Sequence, residues 1–225
     1  MPSIQDAFQG LAKDAVKHAR GVKVIGLGSG SSVTFIVREL SALPSKDSIE
    51  FIPTSLQIKI EAERGRLRIS DEARIPDIDL VFDGADQIDS KFNMIKGGGG
   101  ALLREKILIS AAKKVVIVAD ESKFVKSFTR SVPIEIHPMA RSVVTRTLSR
   151  LGAQVELRML EKGYPFITEN GNLIIDATLP SITDPEKKEI ELKRIPGVVE
   201  VGLFTRRADI YYKAKKDGTF QSISA

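Results

Sequence analysis

The chain has 225 residues, 42% hydrophobic and 28% charged, which is the balance of a globular protein long enough to bury a real core. With no cysteine and two histidines it excludes disulfide scaffolds, thiolate nucleophiles and Cys- or His-rich metal sites, and it suits a reducing, cytoplasmic setting. A net charge of +5, carried by scattered Lys and Arg with only 6% aromatic residues, points to a small anionic ligand rather than to nucleic acid.

Residues 7–19 read as a helix, 22–27 as a short apolar strand running into glycines, and 32–40 as an amphipathic helix. Strand patterns at 49–53, 80–82 and 115–119 alternate with helical patterns at 56–64 and 101–114, which predicts a parallel sheet of at least four strands covered by helices. Beyond Phe128 the pattern changes. A strand in PIEIHP, a helix over 141–151, strands near 155–159, Phe166 and 173–176, a helix over 186–194 and a strand over 198–204 suggest a smaller α+β domain. A last strand at 210–213 is expected to return to the first sheet, which would make the smaller domain an insertion. The expected division is 1–128 plus 205–225 for the sheet domain and 129–204 for the insert. No apolar run approaches the roughly 20 residues that span a bilayer, and the N-terminal residues lack the apolar block of an export signal, so no membrane partner is expected.

Four segments carry chemistry. GLGSGSS (26–32) joins a strand to a helix; its glycines permit close approach and the helix N-terminus favours an anion, with Ser29, Ser31 and Ser32 as added donors around Gly30. It is not a dinucleotide fingerprint, because Ser31 stands where the third glycine belongs and the next strand ends in Pro53, Thr54 and Ser55 rather than an acid. DGADQID (83–89) follows a strand, where Asp83 and Asp86 either engage sugar hydroxyls or simply form a turn. In MIKGGGGALLREK (94–106), four glycines imply close contact with a ligand or another chain segment, and Lys96 before them rules out a P-loop. DESK (120–123) adds Asp120 and Lys123 at a further strand end.

Glu105 is the most informative residue. Helical winding of 101–115 puts Lys106, Ser110, Lys113 and Lys114 on the solvent side and Glu105 among Ala101, Leu102, Leu108 and Ile109. A carboxylate in an apolar arc is paired, neutralised or used in catalysis.

In order, GLGSGSS, DGADQID, MIKGGGGALLREK, VADESK and PIEIHPMAR resemble the signature segments of the ribose-5-phosphate isomerase A family across nearly the whole chain. The resemblance implies an α/β fold, a Rossmann-like parallel-sheet domain with an inserted smaller α+β domain. It also implies a homodimer or homotetramer with no metal or other cofactor, acting on a sugar phosphate. It assigns the proton transfer to Glu105 and supporting catalytic roles to Asp83, Asp86 and Lys96. Substrate contacts fall to Ser29, Gly30, Ser31, Ser32, Gly84, Ala85, Gly97, Gly98, Gly99 and Lys123, with Lys13 as a helix-one lysine near the ligand. Serines replace the threonines more usual at 29 and 32, and Gln87 replaces a more usual glutamate. The rival readings are a non-catalytic sugar-phosphate sensor and a deaminase or coenzyme A transferase of similar fold.

Overall fold

The computed structural model describes residues 2–70 and 77–224. In chain order its elements are α1 (Ile4–Ala15), β1 (Val24–Leu27), α2 (Ser31–Ser41), β2 (Glu50–Pro53), α3 (Leu56–Arg64), β3 (Arg68–Ile69), β4 (Ile78–Asp83), β5 (Gln87–Ile88), β6 (Met94–Ile95) and α4 (Leu102–Ala111). There follow β7 (Ala112–Asp120), β8 (Val132–Ile136), α5 (Arg141–Arg150), β9 (Gln154–Leu157), β10 (Leu173–Thr178), α6 (Pro185–Lys193), β11 (Val198–Val201), β12 (Leu203–Phe204), β13 (Ile210–Ala214) and β14 (Phe220–Ser224). They form two compact units. The first is Met1–Ala85, Arg104–Phe124 and Ala208–Ala225; the second is Asp86–Leu103 and Val125–Arg207.

In the first unit, strands in the order β14-β13-β7-β4-β1-β2-β3 make one sheet, parallel except for the antiparallel edge strand β14. β1 is buried along its whole length and β4 nearly so, which explains why both read as apolar runs without alternation. The helices follow from caps and spacing. Ser3 and Asp6 form a reciprocal capping box that starts α1 three residues before the expected 7–19, and Ala7, Phe8, Leu11, Ala12 and Ala15 then line its buried face. That face, with Val33, Ile36, Val37 and Leu40 of α2, packs into the main core. The chain lays out β1, β2 and β3 in one direction and β4, β7 and β13 in the other, so the order reverses between β1 and β4. Ligands of open parallel sheets bind at the carboxyl ends of strands at such a reversal.

One helix is shorter than expected. The 101–114 pattern ends as helix at Ala111, and Ala112 passes directly into β7, where Ala112 pairs with Ile78 and Lys114 with Leu80. Lys113 therefore lies on a strand and reaches Asp79 at 2.8 Å. Four consecutive β-branched residues at 115–118 favour a strand, and sheet pairing extends it backwards over residues whose helical spacing was compatible with either state.

The second unit contains an antiparallel sheet, β11-β8-β10-β9, with the apolar residues Val144 and Leu148 of α5 and Leu192 of α6 in its core. A small sheet, β12-β6-β5, completes it. The strand expected over 198–204 is divided at Gly202 into β11 and β12, which belong to different sheets. Gly202 is wedged between two backbone segments: a Cβ there would lie 2.4 Å from the Lys96 carbonyl oxygen and 2.8 Å from that of Pro133. Residues 86–103 pack within this unit, whereas the sequence division grouped them with the first sheet. Among the described residues no helix is long and apolar enough to cross a membrane.

Candidate active site

The first unit brings three of the candidate segments to one end of its sheet. The segments 28–32, 83–84 and 120–123 follow the carboxyl ends of β1, β4 and β7, which are adjacent parallel strands. Gly28 and Asp83 flank the point where strand order reverses. Gly28 donates its N–H to the Phe82 carbonyl at 2.8 Å. A Cβ at Gly28 would fall 1.9 Å from Asp83 Oδ1, so the loop accepts only glycine beside this carboxylate. Asp83 is fully buried, and its Oδ1 accepts the Gly84 N–H at 2.7 Å.

Glu105 stands in the first turn of α4 and is 3% exposed, with Leu102, Leu108 and Ile109 buried around it as the helical winding predicts. Ser29 Oγ donates to Glu105 Oε1 at 2.5 Å. A hydroxyl donated to one of its oxygens orients the carboxyl group. Gly30, at φ +94°, caps α2, and its N–H donates to Gln57 Oε1 at 3.1 Å. Ser31 is exposed and Ser32 half-buried at the α2 N-terminus, where backbone N–H groups and the helix dipole suit an anion. Lys123 is half-buried in the short helical turn capped by Asp120. Lys13 lies on the exposed face of α1.

The remaining candidates belong to the second unit. Asp86 Oδ2 accepts the Gly98 N–H at 2.7 Å, and Arg130 lies 3.8 Å from Asp86 Oδ1. Lys96 is 3% exposed; its N–H donates to the Gly202 carbonyl at 2.9 Å and its Nζ lies 5.5 Å from the Phe204 ring centre. The glycine run is a tight turn in which the Gly100 N–H donates to the Gly97 carbonyl at 3.0 Å. Its glycines are required by the protein's own packing. A Cβ would lie 3.0 Å from Leu102 at Gly97, 2.6 Å from Asp86 Oδ1 at Gly98 and 2.5 Å from the Phe166 ring at Gly100, and Gly97 and Gly100 have φ of +105° and +85°. Of the two readings of the four glycines, contact with another chain segment therefore holds at 97, 98 and 100. Gly99 is exposed at the tip.

Gln87, the departure from the family pattern, is 6% exposed and uses both ends of its amide. Its Oε1 accepts the N–H groups of Thr129 and Arg130 at 2.9 and 3.0 Å, and its Nε2 donates to Thr129 Oγ1 at 2.6 Å. It fastens residues 129–130 to β5.

Sequence reasoning missed Arg158 and Asp176. They form a two-point ion pair, and Arg158 also donates to the carbonyls of Gly97 and Gly98 at 2.8 and 3.0 Å. Nothing local marks Arg158 in VELRML, since its partners lie up to 61 residues away. Together with Asp86, Gly98 and Arg130 the pair lines a cavity of about 280 Å³. Among the described residues, no three His, Asp or Glu side chains come together in a way that would hold a metal ion.

A buried carboxylate held by a serine hydroxyl at the carboxyl edge of a parallel sheet is the arrangement of an enzyme that moves a proton in a small polar substrate. Residues 50–218 match the family described as ribose 5-phosphate isomerase A (phosphoriboisomerase A). Ribose-5-phosphate isomerase A of Pyrococcus abyssi is 40% identical over 222 residues, covering 96% of this chain and 97% of that protein. A solved D-ribose-5-phosphate isomerase in complex with phospho-erythronic acid superposes with a TM-score of 0.93 at 37% identity, covering all of both chains. Ribose 5-phosphate isomerase A of Methanocaldococcus jannaschii does so at 0.91 and 35%, covering 99% of this chain and 100% of that one. The chain belongs to the ribose-5-phosphate isomerase A family.

Proposed function

We propose that this protein interconverts ribose 5-phosphate and ribulose 5-phosphate by moving a proton between C1 and C2 through an enediolate. The observation that carries the reading is Glu105, 3% exposed on an otherwise apolar helix face and bonded to Ser29 of the strand-end loop. A carboxylate withdrawn from water and oriented by a serine hydroxyl is equipped to abstract a carbon-bound proton and return it.

The step is redox-neutral within the substrate. Glu105 takes the C2 proton; the C2–H electrons form the C1–C2 double bond, and the C1 carbonyl oxygen becomes an oxyanion. The 2-hydroxyl then gives up its proton, O1 gains one, and Glu105 delivers its proton to C1. No cofactor enters these steps. Lys96 and the N–H groups of Gly97 and Gly99 are assigned to the oxyanion, where preorganised donors are worth most. Asp83 and Asp86 are assigned to the hydroxyl protons and to ring opening. Ser31, Ser32 and the α2 N-terminus, with Lys123, are assigned to the phosphate.

Incubation with ribose 5-phosphate alone, with ketose formation followed, tests this directly; ribulose 5-phosphate is expected, and its absence overturns the reading. Phospho-erythronic acid, the ligand of the solved relative, should compete. The finer assignments are a catalytic domain over 1–128 and 205–225, a cytoplasmic setting, the non-oxidative pentose phosphate pathway and a homodimer or homotetramer. Self-association is supported by the exposed Met159, Leu160, Tyr164 and Ile167, 48–67% accessible on one stretch of the second unit. Light scattering at assay concentration reads it.

A further inference from the structure

We propose that Arg158, held by Asp176, is a positioning residue for the isomerisation, one that shapes and polarises the glycine turn so that the Gly98–Gly99 peptide serves as an oxyanion donor. The inference rests on the proposed function, in which this turn meets the substrate.

A run of four glycines has no side chains to hold it and loses more freedom on ordering than any other sequence. Side chains from elsewhere supply the ties. The peptide joining Gly97 to Gly98 is gripped at both ends, its carbonyl by Arg158 Nη1 at 2.8 Å and its N–H by Asp86 Oδ2 at 2.7 Å. The next peptide is gripped at one end only: Arg158 Nη1 donates to the Gly98 carbonyl at 3.0 Å, while the Gly99 N–H has no acceptor among the described residues and sits at the exposed tip. Donation into a peptide carbonyl polarises the whole amide and strengthens the N–H on its far side. A guanidinium on the Gly98 carbonyl therefore makes Gly99 N–H a better donor to developing negative charge.

Arg158 suits this task in ways a lysine would not. Nε and Nη2 are taken up by the two oxygens of Asp176, which fixes the plane of the fork and aims Nη1 at both carbonyls. Its side chain is only 16% exposed. Phe166 covers it at 5.9 Å and also abuts Gly100, so the guanidinium, the aromatic ring and the turn form one packed group.

The test is steady-state kinetics of Arg158→Ala, Arg158→Lys and Asp176→Asn, with melting temperatures measured alongside. For Arg158→Ala, kcat should fall about tenfold to a hundredfold with KM changed far less, the signature of a donor that matters most in the transition state. Guanidinium at millimolar concentration should restore part of that kcat, and Arg158→Lys should fall between the two. An unchanged kcat, or a loss that guanidinium does not reverse and that follows the drop in melting temperature, overturns the proposal. Should Arg158→Ala not fold, Arg158→Lys carries the test: full kcat there overturns it. An unsubstituted protein that makes no ketose counts against the isomerase reading instead. The clamp is then read from phospho-erythronic acid binding, which Arg158→Ala must weaken if the turn meets the ligand.

Discussion

Ser29 and Glu105 are 76 residues apart in the chain, yet the serine hydroxyl lies 2.5 Å from the carboxylate. The loop after β1 thus contributes the donor and α4 the carboxylate, and neither segment explains the other. Glu105→Gln keeps the volume and a hydrogen-bonding oxygen but cannot accept a proton from carbon. Turnover should drop by about 10²-fold to 10⁴-fold or more while phospho-erythronic acid still binds, as read by calorimetry. Near-normal kcat in this variant would remove Glu105 from the mechanism.

Ser29→Ala removes the orienting donor and leaves the base. A hydrogen bond to a charged group contributes about 1.5–3 kcal/mol, so kcat should fall roughly tenfold to a hundredfold, less than in Glu105→Gln. Ser29→Thr, which retains the hydroxyl, should recover most of it.

Gly28→Ala tests close approach rather than backbone freedom. The new methyl would sit 1.9 Å from Asp83 Oδ1, so the buried carboxylate or the loop must move. Overpacking of this kind costs about 1–3 kcal/mol, and denaturant unfolding should show that loss together with a fall in kcat.

His18 governs a pH dependence away from the candidate site. Lys114 Nζ lies 3.2 Å from His18 Nδ1 and Tyr212 Oη 3.3 Å from Nε2, while the Tyr212 hydroxyl donates to Asp14 at 2.8 Å. Tyr212 stays protonated, pushed up to about 12 by burial and by Asp14. A proton on Nδ1 would displace the lysine's hydrogen bond and set two cations together. Burial first, and Lys114 second, hold His18 below its ordinary 6.5, although Asp14 acts in the opposite sense. The unfolded chain therefore takes up this proton first as pH falls. Stability should be level above about pH 7 and decline below about 6.5, on through the depressed folded value. Asp14, itself lowered chiefly by Lys17 and Tyr212, loses its contribution only in the separate window below 3.8. His18→Gln should flatten melting temperature against pH between about 7 and 5.

Glu135 is fully buried in β8, and its Oε1 accepts from Thr168, Asn170 and Asn172 at 2.9–3.0 Å, closing the 168–172 turn. Glu135→Ala leaves those donors without their acceptor and should cost about 3 kcal/mol or more in chemical denaturation.

Legible in the residue pattern were the alternation of strand and helix, the strand-end placement of 26–32, 83–89 and 120–123, and the apolar setting of Glu105. Those features depend on neighbours within a turn of helix or on residues that only particular loops tolerate, so local spacing reveals them. The end of α4 was not legible, because 112–114 suits helix until pairing with β4 claims it for β7. Nor was the break at Gly202, which exists because two carbonyls crowd that one position. What holds each reactive group came only with folding: Ser29 on Glu105, Asp86 on Gly98, Arg158 on the glycine turn. These partners lie between 12 and 76 residues apart. Sheet order and strand register bring them together, and hydrogen-bond geometry selects among them, leaving no periodic trace in the chain.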